Sequence, residues 1–295
     1  RHIQTLQLGR SDVSAGDKLN FTSIIVAEDG SELLAVSSDQ GGRFVTLSIQ
    51  PTRRGRYNIG TARAYPLVDS DGEELKIPNR MSLAVNGTYR RGGQGDLTVA
   101  YEGNPNSVLE KRASRFRTGV SSRGTTLDVS GLQSICDASL LPGVTIARLG
   151  RRGDLLFTCL LTDQFLDSYP RAYDPTVPPV QFGHLMGVYI EDDIRLFDVE
   201  VTRGQDPIAM APLKNGDVMI ASVVYTNPRK LRISYLTSDQ LQEGIDDPFK
   251  VISPTIIADI DQADGFEIGV QSGLAVREDP RSGQIFVYSM SDDSF

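Results

Sequence analysis

Five times along this chain a short apolar segment runs into a Gly- or Asp-marked turn and leaves it as a strand-length apolar run. The leading segments are Asn20–Val26, Asn79–Val85, Gly131–Cys136, Asp206–Ala211 and Gln271–Val276. The runs that follow are Ser31–Ser37, Asp96–Tyr101, Leu155–Leu161, Asp217–Val224 and Gln284–Ser289, each behind a turn such as Asp29-Gly30 or Asn215-Gly216. Alternating or continuous apolar runs of this length behind such turns read as hairpins. A hairpin buries only part of its apolar surface alone, so a unit recurring every ~50–75 residues is stacked against its own copies, as propeller blades are. Arg43–Ile49, Leu196–Val201 and Leu231–Leu236 supply further strands for the same sheets. A β-sandwich is the competing arrangement, but it does not require a recurring unit. Helical patterning is confined to Asp239–Gly244 and Gln164–Tyr169. The expectation is an all-β, single β-propeller domain over residues 1–295, with six blades and with Ile3–Leu8 joining the last one. A proline-rich insertion is expected near 170–180, around Pro175, Pro178 and Pro179.

Composition removes several functions. The net charge of −8 and pI near 4.9 disfavour nucleic acid, whose phosphates need clustered Lys and Arg. No run approaches the ~18 apolar residues of a transmembrane segment. With only His2 and His184, a His-based nucleophile machine must use His184, and histidine-rich zinc sites are excluded. Trp is absent, so no Trp platform for sugars or bases exists. Cys136 and Cys159 are too few for a disulfide scaffold; they either pair across neighbouring strands or stay as buried thiols.

Several pieces resemble the esterase-like phytase family of extracytoplasmic β-propellers. The stretch from Gly273-Leu274-Ala275-Val276 to Ser289-Met290-Ser291-Asp292-Asp293-Ser294-Phe295 looks like that family's "EGIAV … LISDDNF" ending. Ser38-Asp39-Gln40-Gly41-Gly42-Arg43-Phe44 is similar to its "SDDGGRF", and Leu97–Asn104 to "LLVSFERN". Leu213–Ile220 is similar to "LPDGDLLVL". The resemblance implies a phytase-like or esterase-like propeller, secreted or periplasmic. The chain also departs from the pattern: three family Glu positions are Met81, Gln133 and Ser272, the "LERRF" pair is Ser222 and Val223, and the Arg after Glu102 is Gly103. Carboxylates hold divalent cations or act as general bases, and these replacements remove both roles at those positions.

Two functions follow as expectations. The first is a noncatalytic binding or scaffold subunit with a protein partner. The second is a metal-assisted phosphoester or ester hydrolase, with Glu102, Asp39, Asp292 and His184 as its catalytic candidates. Asp259, Asp261 and Asp264 form an acidic loop able to contribute oxygens to calcium, which takes six to eight of them. Arg43, Arg90 and Arg91 are the candidate ligand-binding cations, since an anionic substrate needs its charge matched.

Overall fold

The computed structural model describes residues 4–6, 20–38, 41–53, 56–75, 79–103, 110–129, 145–149, 153–159, 184–190, 193–200, 205–224, 227–247, 250–266 and 268–292. Sheet 1 runs as β1 (Phe21–Val26), β2 (Glu32–Ser37), β3 (Arg43–Pro51) and β4 (Tyr57–Pro66). Sheet 2 repeats the order with β5 (Asn79–Arg90), β6 (Gln94–Gly103), β7 (Glu110–Phe116) and β8 (Thr125–Leu127). Sheet 3 holds β9 (Thr145–Leu149), β10 (Asp154–Cys159), β11 (His184–Ile190) and β12 (Asp193–Val199). Sheet 4 holds β13 (Asp206–Pro212), β14 (Val218–Val224), β15 (Lys230–Leu236) and β17 (Thr255–Asp261). Between β15 and β17 the chain makes helix α1 (Ser238–Asp246) and the short strand β16 (Val251–Ile252). Sheet 5 is β18 (Val270–Glu278) with β19 (Ile285–Asp292).

Burial follows position in the sheet. The second strand β14, flanked on both sides, is buried along almost its whole length, whereas the outermost strand β4 is mostly half-exposed. Gly30 and Gly216 sit at φ 73° and 91° in the turns that join first to second strands, where a Cβ would be strained.

The first strands of the five sheets close a cycle. β1 packs against β5, β5 against β9, β9 against β13, β13 against β18, and β18 returns to β1. The Met81 N–H donates to Thr22 Oγ1 at 3.2 Å and the Ile146 N–H to Ser82 Oγ at 3.0 Å, so neighbouring first strands begin at the same end. Apolar seams fill the wedges between sheets. Phe44 and Phe116 meet edge-to-face at 5.1 Å between sheets 1 and 2. Phe157 lies between sheets 2 and 3, and Phe197 with Leu241 between sheets 3 and 4. Leu274 and Val276 face sheet 4, while Ala275, Tyr288 and Met290 face sheet 1.

Several expectations change. Five sheets stand in the cycle among the described residues, where six were expected. The leading segment of the third repeat is Thr145–Leu149, directly ahead of its turn, and not Gly131–Cys136, which lies outside the described residues with the 164–169 and 170–180 segments. Gln4, expected to join the last sheet, instead fastens to sheet 1: its side-chain amide donates to the Tyr57 carbonyl and accepts from the Tyr57 N–H, both at 2.9 Å. The helix at 239–244 is present and longer, because Thr237 and Gln240 form a capping box at its start.

Candidate functional site

The strand order brings most of the candidate residues to one end of the cycle. Every first strand starts at that upper end, so each second strand finishes there and each third strand starts there. Glu102 lies near the end of β6, Cys159 and Asp292 end β10 and β19, and Arg43 and His184 open β3 and β11. Asp261 ends β17 at the same level. Arg90 ends β5 and Arg91 lies in the turn after it, at the opposite, lower end. The three candidate arginines therefore do not meet one ligand: Arg43 is separated from the other two by the length of a strand.

Backbone irregularity gathers at the upper end too. Four of the five first strands carry a bulge after their opening residues, at Thr22, Arg80, Ile208 and Ser272. A bulge inserts one residue and turns the local side chains, a device frequent beside functional sites. Ser272, one of the three departures from the family's acidic pattern, is such a residue, and Met81 follows one.

The carboxylates differ in state. Glu102 is only 5% exposed, paired in register with Asn79 on one side and Lys111 on the other. Asp259 accepts two hydrogen bonds from the Arg232 guanidinium, at 2.6 and 2.8 Å, and these hold its carboxyl below the usual carboxylate range. Asp261 pairs with Lys230 Nζ at 2.8 Å and accepts from the Ala263 N–H at 2.9 Å, which lowers it likewise. Asp264 is exposed. Two of the three aspartates are matched by cations across the β15–β17 ladder, which a metal ion would have to displace. Among the described residues, no three His, Cys, Asp or Glu side chains group as a metal site. Asp39 lies outside the described residues.

Cys159 lies opposite Leu185 of β11, and the other side of its strand is taken by β9. β9 pairs with β10 only as far as Thr158, and Cys136 lies outside the described residues.

Two buried polar centres escaped the sequence reading. The Glu32 carboxylate accepts from Tyr89 Oη at 2.5 Å and from the Gly92 and Gly93 N–H groups at 2.9 and 3.3 Å, tying sheet 1 to sheet 2 at the lower end. Burial, with the Glu32 carboxylate beside it, pushes the Tyr89 hydroxyl far up. The Asp217 carboxylate accepts from Tyr235 Oη, the Asn215 side chain and the Ser238 N–H, the last at 2.7 Å. The only sequence signal for Glu32 was a charged residue at the head of an apolar run.

No known protein-family profile matches the chain, and no curated protein matches it. Solved structures overlap it coarsely. A triple mutant of AofleA from Arthrobotrys oligospora is 12% identical, with a TM-score of 0.45 over 97% of this chain and 69% of that one. MPT-4, a mannose phosphorylase from Leishmania mexicana, is 11% identical, with a TM-score of 0.47 over 100% and 86%. The Cps50 (Swd1) beta-propeller domain from Myceliophteria thermophila is 11% identical, with a TM-score of 0.30 over 93% and 98%. Among the described residues, no helix is long and apolar enough to cross a membrane.

Proposed function

We propose that the five sheets are the blades of a divergent phytase-like propeller that works as a noncatalytic binding or scaffold subunit, presenting its upper end to a protein partner. The observation that carries this reading is the pairing of Asp259 with Arg232 and of Asp261 with Lys230. Acids neutralised in this way hold a loop in place, and they are poor metal ligands or general bases. The resemblance in sequence is the support for a location outside the cytoplasm; a precursor without any export signal would count against that location.

The shared level of Glu102, His184 and Asp292 favours the second reading, a metal-assisted phosphoester or ester hydrolase. Turnover of a generic phosphomonoester and of a short-chain ester, with and without added calcium, separates the two. No metal-dependent turnover is expected. Clear calcium-dependent hydrolysis that Glu102→Gln abolishes would overturn the binding-subunit reading.

A further inference from the structure

Toward the lower end, the wedge between sheets 2 and 3 exchanges its apolar filling for charged side chains. Asn86 of β5 stands opposite Asp96 of β6, and Thr98 opposite Arg115 of β7. Side chains two apart on a strand share a face, so all four lie on the side of sheet 2 turned to sheet 3. The Arg115 guanidinium holds the Asp96 carboxylate with Nε at 2.7 Å and with Nη2, and the Asn86 amide donates to it at 3.2 Å. Arg148 enters from β9. Its Nε and Nη2 donate to Thr98 Oγ1 at 3.2 and 2.9 Å, and its Nη1 donates to the Gly153 carbonyl.

Two guanidinium groups therefore stand beside one paired carboxylate, and both acceptors of Arg148 are neutral. Asp154 acts on Arg148 only weakly, and among the described residues no carboxylate forms an ion pair with it. Burial, and then the neighbouring Arg115 charge, pull Arg148 below the usual guanidinium range. A partly buried cation is costly unless an opposite charge meets it. Arg148 also keeps N–H donors to spare, since a guanidinium carries more of them than it spends here. The charge of the surrounding sheet is a second, independent observation. Residues 79–127, the span of sheet 2, hold eight Lys or Arg against three acids, in a chain of net charge −8. Arg90, Arg91 and Arg117 are exposed. A surface of this sign draws anions to itself.

We propose that Arg148 and Arg115 form a binding site for one carboxylate group of a ligand, reached from the lower end past the Arg115 side chain, which is 33% exposed. The planar guanidinium fork matches a carboxylate with two parallel hydrogen bonds. Asp96 already answers one of the two cations, so the surplus of a single charge suits a monoanion better than a dianion. The carboxylate belongs to a small free acid or to an acidic side chain of a polypeptide; the chemistry at the two arginines is the same. This site is distinct from the upper end, and its failure would leave the reading of that end untouched.

The test uses the whole protein at constant ionic strength, with acetate, an end-blocked Gly-Glu-Gly peptide and sulfate as probes. The side-chain Nε–H resonances of Arg115 and Arg148 are expected to shift saturably with acetate and with the peptide. Sulfate is expected to bind about tenfold more weakly, and the tighter of the two carboxylates names the source. Arg148→Gln, with an unchanged circular dichroism spectrum, is expected to weaken acetate about tenfold. Arg115→Gln is expected to do the same by another route, because Asp96 is then free to neutralise Arg148. Asp96→Asn raises the surplus charge to two and is expected to reverse the preference, sulfate becoming the tighter probe. Arg117→Gln, a change to an exposed arginine of the same sheet, is expected to bind within about twofold of the parent. Resonances that stay still at saturating acetate, or that chloride moves equally, would overturn the proposal. So would an Arg148→Gln variant that binds acetate as tightly as the parent, since Arg148 then only ties β9 to β6.

Discussion

Asp217 shows how one residue type in one turn decides a larger arrangement. It is 5% exposed, and its oxygens serve Tyr235 on β15, Asn215 in its own turn and the N–H that opens α1. Burial alone would raise its pKa, but the hydrogen bonds from Tyr235, Ser238 and Asn215 outweigh it and hold the group below the ordinary 3.8. Asp217→Ala leaves these donors unanswered and is expected to cost about 2 kcal/mol, seen as a lower denaturation midpoint. The pH dependence has a definite sign. A depressed carboxyl contributes fully above its unfolded pKa, and the contribution is lost as pH falls below about 4 through the folded value. An acid titration of stability is therefore expected to be shallower below pH ~4 in Asp217→Asn than in the parent. Equal slopes would mean the carboxylate is not what holds the turn.

Helix α1 and strand β16 form a strap that leaves sheet 4 and finishes sheet 3. β16 pairs in parallel with β12, joining Asp198 to Val251 and Val199 to Ile252, and the Glu200 N–H donates to the Ile252 carbonyl at 2.8 Å. Gly244 is the point of closest approach: a Cβ there would stand 2.8 Å from Phe197 Cδ2. Alanine is the better helix former by ~1 kcal/mol, yet Phe197 is fully buried and has no room to move. Gly244→Ala is expected to lower stability by about 1–3 kcal/mol by overpacking; a rise in the midpoint would show that the strap floats free of β12. The helix itself was legible, because Thr237 and Gln240 announce a capping box and Leu241 an apolar face. The strap was not. Val251-Ile252 is too short to register as a strand, and its partner lies about fifty residues back, a pairing that no local pattern encodes.

At the level of the whole molecule, apolar seams join each sheet to the next. Phe44 and Phe197 lie in different seams with no shared neighbours. Phe44→Leu and Phe197→Leu are each expected to cost about 1 kcal/mol and to add within ~0.5 kcal/mol in the double variant. A larger coupling would mean that opening one seam loosens the rest. The repeating unit was legible because hairpin turns and apolar runs are local. The cycle of five sheets among the described residues was not, because it depends on which first strands touch, and β9 was hidden behind a better-looking segment ending at Cys136. The site was legible only as positions. Strand order set Glu102, His184 and Asp292 at one end, but whether Asp259 faces a cation or water depends on Arg232 across the ladder. The strap also bears on synthesis. The ribosome releases Val199 about fifty residues before Ile252, so sheet 3 spends the intervening seconds of translation with β12 as a bare edge. Nascent chains stalled near residue 236 are thus expected to be nicked by protease within 193–199, and chains stalled well past 261 to resist.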